Sequence, residues 1–415
     1  MATTQPQDAQ DWSIDQPPVE EWDPTLPPSV RICTGGDRAR QWLQSRRGQQ
    51  PLFSCVLGFT KTGLIPGISA AGATPADRRY TALADAEFLV NGPRCNPAYP
   101  LPPLAGGASP VLISRALIEA LHWRVKVVDA GLRDGPSVPT LSLGGLPARC
   151  LSTGRALSRA VVEQLFAAGL RLGEQLCTEA APIPPDYLLI SECVVGGTST
   201  ALAVLLGLGI DAIDRVNSSH PTCNHAQKLD LALEGLRRSG LGEWNPDRQR
   251  VEGPLNRDPL AIVAAVGDPM QPVAAGMALA ASRFGGALLA GGTQMLAVYA
   301  LARAIAHQRD LPWHPESIAV GTTRWVATDP TADLVGLAQA IAPPAEEPIV
   351  IASTLSFAQS SWAQLRAYEA GFVKEGVGAG GAAIAASCGA GWTGDRSLRA
   401  IEQLLSRWSG IVCHP

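Results

Sequence analysis

Leu188-Leu189-Ile190-Ser191-Glu192-Cys193-Val194-Val195-Gly196-Gly197-Thr198-Ser199-Thr200-Ala201-Leu202 passes from one hydrophobic pattern to another across a single glycine turn. The short unalternating run 187–190 reads as a buried parallel strand. It ends in Ser191-Glu192, crosses Gly196-Gly197, and order resumes at Thr198 with a helix over 201–208. A strand, a glycine turn and a helix start aim unpaired backbone N–H groups and the positive end of a helix dipole at one spot. Phosphate is the usual occupant of such a spot. Gly196 and Gly197 admit a ligand close to the main chain, while Thr198 and Ser199 add hydroxyl donors. An ordinary β-to-α connection with a threonine cap gives the same letters. The carboxylate of Glu192 at the strand's C-terminal end favours the ligand reading, because ligands of open α/β sheets sit just beyond those ends.

Downstream the pattern recurs. A helix over 258–265, a Gly267-Asp268-Pro269 turn, a helix over 270–283 and a strand over 286–290 lead to Gly291-Gly292-Thr293. A helix over 294–307 and a strand over 317–320 then reach Gly321-Thr322-Thr323, followed by a helix over 331–341 and a strand over 348–352. Three apolar segments ending alike gather small and hydroxyl residues at one rim, which predicts an α/β fold with a doubly wound, mostly parallel sheet and one ligand crevice. Upstream, 54–59 reads as a first strand, followed by a glycine-rich polar loop over 60–75 of the length usually kept for function. The stretch 80–87 follows, with 88–90 strand-like. Ser109-Pro110 opens a helix to His122; 124–128 is a strand and 154–177 a long helix. The polar segment 218–228, which includes His220, Asn224 and Lys228, precedes a helix to about 238 and suits ligand contacts or a plain cap equally. Residues 240–257 read as a loop, and 397–408 as a final amphipathic helix.

Composition narrows the function classes. With 33 basic and 37 acidic residues the 415-residue chain carries a net charge of −4, and no basic cluster with interleaved aromatics points to nucleic acid. The 9 cysteines include no C-x-x-C pair and read as free thiols in a reducing compartment, with no zinc site; Cys223-Asn224-His225 alone is two ligands without a second pair. The N-terminus lacks the basic and apolar regions of a signal peptide, and the most apolar window, 273–302, is broken by Arg283, glycines and Gln294. These features predict a soluble cytoplasmic protein. Residues 1–28, rich in Gln, Asp and Pro and carrying Trp12 and Trp22, read as a mobile arm or one laid on a partner surface.

The last informative stretch is Gly371-Phe372-Val373-Lys374-Glu375-Gly376-Val377-Gly378-Ala379-Gly380-Gly381-Ala382. A carboxylate in such glycine-rich backbone is either a helix-start residue or a base exposed to a ligand. Together with the motif around Glu192, with Ala265-Val266-Gly267-Asp268-Pro269-Met270-Gln271-Pro272 and with Leu289-Ala290-Gly291-Gly292-Thr293-Gln294-Met295, it makes the chain resemble the nicotinate-nucleotide:dimethylbenzimidazole phosphoribosyltransferases of cobalamin lower-ligand synthesis. The likeness runs over about residues 50–390 and is greatest to their archaeal and cyanobacterial branch. It implies a Rossmann-like sheet with a smaller helical part, a homodimer acting on small molecules, and no metal or redox cofactor. Taken with the composition of the N-terminal stretch and the final amphipathic pattern, it suggests an arm (1–28), a transferase domain (29–390) and a C-terminal helix packed on the helical part (391–415).

The implied reaction moves the 5-phosphoribosyl group of nicotinate mononucleotide to an aromatic nitrogen base. By motif Glu375 matches the family's base and Glu192 its second acid. Gly196, Gly197, Thr198, Ser199, Gly291, Gly292, Thr293, Gly321, Thr322, Gly376 and Gly378 would hold phosphate and ribose, and Lys228 stands where the family places a lysine near the phosphate. The chain departs from the pattern at Ser191, where much of the family has glycine, and in Cys193-Val194-Val195. Residues 72–88 do not match the benzimidazole pocket residue by residue, so a purine such as adenine is an alternative acceptor, with Tyr80 or Asp85 as its contacts. A non-catalytic nucleotide-binding protein that kept the phosphate cradle, or a transferase with another donor, are the competing readings.

Overall fold

The run 187–190 lies inside an eight-stranded sheet. The computed structural model describes residues 25–104, 106–178, 184–248, 250–254 and 257–411, so the arm expected over 1–28 falls outside the described residues up to residue 24. In chain order the strands are β1 (Val30–Ile32), β2 (Pro51–Gly58), β3 (Val125–Gly131), β4 (Leu141–Ser142), β5 (Tyr187–Cys193), β6 (Glu243–Asn245), β7 (Arg250–Glu252), β8 (Ala287–Ala290), β9 (Ile318–Thr322) and β10 (Ile349–Ser353). The large sheet runs β1-β10-β9-β8-β5-β2-β3-β4. Only β1 is antiparallel to its neighbour. The expected α/β fold is therefore present, with an antiparallel strand added at one edge.

Burial on both faces explains why β5 shows no alternation. Leu188 and Ile190 enter one core with Val56, Val128 and Leu289, covered by the helices Arg159–Thr178, Gly197–Leu208, Pro259–Val266, Met270–Ser282 and Thr293–Arg309. Leu189 enters the other with Phe53, Leu57 and Leu288, under Gly36–Ser45, Thr81–Asn91, Val111–Leu121, Ala379–Ala390 and Gly394–Ser409. Leu189 lies opposite Phe53 of β2, and opposite Leu288 of β8 on its other edge, so strand register and core assignment agree.

Several expectations need correction. Residues 88–90 belong to the helix Thr81–Asn91, whose residues 81–89 are all buried, so neither a strand period nor a helix period shows in the sequence. The segment 240–257 contains the antiparallel hairpin β6–β7. The long helix begins at Arg159 instead of 154, and the helix expected over 331–341 begins at Leu334, after a separate turn of helix over Arg324–Ala327. No helix among the described residues is long and apolar enough to cross a membrane.

The helices Arg159–Thr178 and Met270–Ser282 meet through glycine. A Cβ on Gly169 would stand 2.4 Å from the Val273 carbonyl oxygen, and one on Gly276 would stand 2.6 Å from that of Phe166. Neither neighbour can yield without moving a helix. Gly169→Ala should therefore lower stability by about 1–3 kcal/mol, whereas Arg171→Ala, at an exposed position of the same helix, should stay within about 0.5 kcal/mol. Urea denaturation of both variants checks this; equal midpoints would refute the close-packing account.

Candidate active site

From β2 the chain builds the sheet outward through β3 and β4, then returns to place β5, β8, β9 and β10 on the other side. Strand order thus reverses between β2 and β5, where a parallel sheet opens a crevice at its C-terminal ends. A pocket open to solvent occupies that place. Its wall comes from the end of β5 and the turn after it, the residues after β8, the loops 217–219 and 373–377, and parts of the segment 69–110. Gly196 shapes the turn: its φ of 89° is left-handed, and a Cβ there would stand 2.8 Å from the Gly63 nitrogen. Glycine satisfies both demands, and the first turn of helix Gly197–Leu208 thereby reaches the cavity.

Three carboxylates line this wall, those of Asp85, Glu192 and Glu375. Glu192 is 4% exposed, and its Oε2 accepts from the Val194 N–H at 2.9 Å. Burial first, then the nearby charge of Asp268, pushes its carboxyl up to about 8. Asp268 is itself fully buried; its Oδ2 lies 2.5 Å from Thr200 Oγ1, and its Oδ1 accepts the N–H groups of Met270 and Gln271. Glu375 is only partly covered. Its Oε2 accepts from Thr323 N at 2.9 Å and Thr322 Oγ1 at 3.1 Å, and its Oε1 from Gly376 N and Gly380 N, both at 3.1 Å. Four donors favour the carboxylate, yet the surrounding protein outweighs them and raises Glu375 to about 7. Asp85, raised by burial to about 6, accepts from Ser109 Oγ at 2.8 Å and Cys193 Sγ at 3.3 Å.

The segment carrying Glu375 is strained. Val373, Lys374 and Val377 have φ values of 68°, 62° and 49°. For β-branched residues this is an outlier conformation of the kind that clusters at functional sites. The loop is tied to the sheet by Val377 N donating to the Glu192 carbonyl at 3.2 Å, and by Thr323 Oγ1 donating to the Lys374 carbonyl at 2.6 Å.

Of the residues named from the sequence, Glu192, Gly196, Gly197, Thr198, Gly291, Thr293, Glu375, Gly376 and Asp85 meet in the cavity wall. Ser199, Lys228, Gly292, Gly321, Thr322, Gly378 and Tyr80 are not part of it. Thr322 acts one step back, as a donor to Glu375. Lys228 is fully buried, its Nζ donating to the carbonyls of Val216 at 2.6 Å and Asn217 at 3.0 Å. Tyr80 is 38% exposed and stacks on Tyr99. Sequence reasoning missed Asn217, Ser109 and Lys374, although the adjacency of Lys374 to Glu375 was a usable signal; Ser218 and Ser219, from the polar segment 218–228 expected to suit ligand contacts, do line the wall. Cys223 and His225 do not form a metal pair: Cys223 Sγ points to Asp329 Oδ2 at 3.6 Å, and His225 Nε2 lies 2.5 Å from the Thr331 carbonyl. Among the described residues there is no group of three or more potential metal-ligating side chains.

No family model matches the chain. The UPF0284 protein of Cyanothece sp. (strain PCC 7425) is 57% identical over 382 residues, 92% of this chain and 98% of that protein. The UPF0284 protein of Nostoc sp. (strain PCC 7120) is 54% identical over 384 residues, 91% of this chain and 99% of that one. The chain belongs to the UPF0284 family. Among solved structures, the nicotinate-nucleotide-dimethylbenzimidazole phosphoribosyltransferase from Thermus thermophilus has a TM-score of 0.54 at 16% identity, with 89% of each chain covered. CobT from the same organism gives 0.54 at 17% identity, with 88% of this chain and 89% of the other covered. At such identity the likeness establishes the fold, and the resemblance drawn from the motifs is borne out in both the cyanobacterial relatives and this architecture.

The raised Glu192 carboxyl has a consequence for stability in this UPF0284 protein. Its proton is held to about pH 8 in the fold but lost near 4.5 in the unfolded chain, so stability falls as pH climbs through that window. The loss is on the order of a few kcal/mol by pH 9. Glu192→Gln removes the titration while keeping an acceptor for Val194. Its melting temperature should match that of the parent at pH 5 and exceed it by roughly 2–6 °C at pH 9. A constant difference across pH would show that Glu192 is not held as the acid.

Proposed function

We propose that the protein transfers the 5-phosphoribosyl group of nicotinate mononucleotide to an aromatic nitrogen base, dimethylbenzimidazole or a purine such as adenine. The products are an α-ribazole-type phosphate and nicotinate, for cobamide lower-ligand synthesis by a cytoplasmic homodimer. The observation that carries this reading is the meeting of Glu192 and Glu375, from distant parts of the sequence, in one cavity at the strand-order reversal. The glycine turn at the start of helix Gly197–Leu208 supplies a seat for the phosphate. The fold shared with the Thermus phosphoribosyltransferase supports the same chemistry.

The chemistry asks little of the leaving group. The C1′–N bond to the cationic pyridinium breaks with its electron pair going to the ring, which departs as nicotinate. The lone pair of an acceptor ring nitrogen forms the new bond to C1′ from the opposite face, and the proton of the acceptor ring's N–H passes to a carboxylate. Glu375, raised to about 7, is matched to that role near neutral pH. Negative charge in the same pocket stabilises oxocarbenium character at the ribose as the first bond lengthens. Since the base must be unprotonated, turnover should rise with pH through about 7.

One observation favours the second reading, a nucleotide-binding protein without turnover: four hydrogen bonds hold Glu375 much as a helix cap is held. Incubation with nicotinate mononucleotide and either base, with chromatography of free nicotinate, separates the two. Release with at least one base is expected, and Glu375→Gln should lower kcat by about 10²–10⁴-fold while nucleotide affinity changes only a few-fold. Tight nucleotide binding with no nicotinate from any base would sink the transferase reading.

A further inference from the structure

Asp85 is the wall carboxylate that the chemistry above leaves without a task. It is 3% exposed and lines the pocket. Its Oδ1 accepts from Ser109 Oγ at 2.8 Å and its Oδ2 from Cys193 Sγ at 3.3 Å, and both partners line the same wall. Among the described residues no basic side chain pairs with it, and Lys374, the wall's one basic residue, is bound to Asp329 at 2.5 Å. An ionised carboxyl group accepts about four hydrogen bonds. One hydroxyl and one weakly donating thiol leave Asp85 short of that number, which is costly for a buried charge.

The two faces of the sheet place Asp85 relative to the phosphate seat. Neighbours on a strand point to opposite faces, so Glu192 and Cys193 leave β5 on different sides. By parity Glu192 lies with Ile190, on the side of the helices Gly197–Leu208 and Thr293–Arg309, whose first turns reach the pocket. Cys193 belongs to the core under Thr81–Asn91, Val111–Leu121 and Ala379–Ala390, and Asp85 is a residue of the first of these helices. The pocket therefore spans the sheet end, with the helix starts on one side and Asp85 on the other. Glu375 is close to both. Val377 N bonds to the Glu192 carbonyl, and a Cβ on Gly376 would stand 3.2 Å from Cγ of Pro110, the residue after Ser109.

We infer that Asp85 selects the acceptor by taking a hydrogen bond from an N–H group on the six-membered ring of the incoming base, so that the substrate class is aminopurine-like. This rests on the transferase reading above and chooses between its two bases. The ring lies with its reacting nitrogen at the ribose beside Glu375 and its far edge toward Asp85, among Ala71, Pro102, Leu104 and Pro110. Adenine brings an exocyclic amine to that edge. Dimethylbenzimidazole brings two methyl groups, which shield the carboxylate from solvent and give it no donor in return.

The test measures binding of adenine, 6-methylpurine and dimethylbenzimidazole to the full chain by calorimetry at pH 8, where Asp85, raised to about 6, is ionised. In 6-methylpurine a methyl group replaces the amine on an otherwise equal ring. The wild type should favour adenine over it by about 10-fold or more. Asp85→Leu should bring that preference to about 2-fold or less and tighten dimethylbenzimidazole by about 5-fold. Should the leucine variant fail to fold, Asp85→Asn keeps an acceptor but not the charge, and should cut the preference by about 5-fold. No preference in the wild type, an unchanged preference in the folded variants, an equal loss for all three bases, or no binding of any base would each overturn the assignment. Turnover is not read: an Asp85-dependent preference without nicotinate release removes the transferase reading alone, and release without such a preference removes this one alone.

Discussion

Four hydrogen bonds converge on the Glu375 carboxylate, and the protein around it opposes the charge they favour. The bonds come from Thr322 and Thr323 at the end of β9, from Gly376 in the loop and from Gly380 at the start of helix Ala379–Ala390, so one side chain joins a strand end, a strained loop and a helix. Through Val377 the same loop bonds to β5 beside Glu192. Without that junction the 373–377 segment has no reason to hold left-handed valines, and the cavity loses one wall. Strand order places the ends of β5 and β8 in the wall; the 373–377 loop depends in addition on a carboxylate kept half-dehydrated between donors.

The three acids of the wall share a sign and differ in environment. Asp85 meets a hydroxyl and a thiol, Glu375 four donors, and Glu192 the Val194 N–H with a second acid nearby. Burial raises all three, to about 6, 7 and 8 respectively. Around neutral pH the cavity therefore contains a carboxylate, a group near its midpoint and a protonated acid. Such a spread lets one pocket both accept and donate protons, and it limits the charge that an incoming anion must face.

Much of this was legible in the sequence for a physical reason. A parallel strand buried on both faces must be an unbroken apolar run, and a close turn into a helix must use small residues, so β5, β8 and β9 announced themselves and their common rim. Glu192 and Glu375 were readable because charge rarely interrupts such segments without cause. The helix Thr81–Asn91 was not, since burial on all sides erases its period. Nor was the Lys374–Asp329 pair, because residues far apart in sequence meet only once the sheet is assembled. Arg78 is a similar case. Its guanidinium donates to the carbonyls of Gly63, Ile65, Ser69 and Gly72, and in the sequence it is indistinguishable from any surface arginine.

Val373 and Val377 hold left-handed backbone while their side chains are 7% and 1% exposed. Glycine would relieve a cost of about 1–3 kcal/mol at such a position, but would forfeit the buried isopropyl groups and widen the ensemble of the unfolded loop. The valines therefore act as stiffeners. A segment braced in this way has no cheap alternative shape, so specificity must come from rejecting ligands that do not fit the existing contour; it cannot come from remoulding around them.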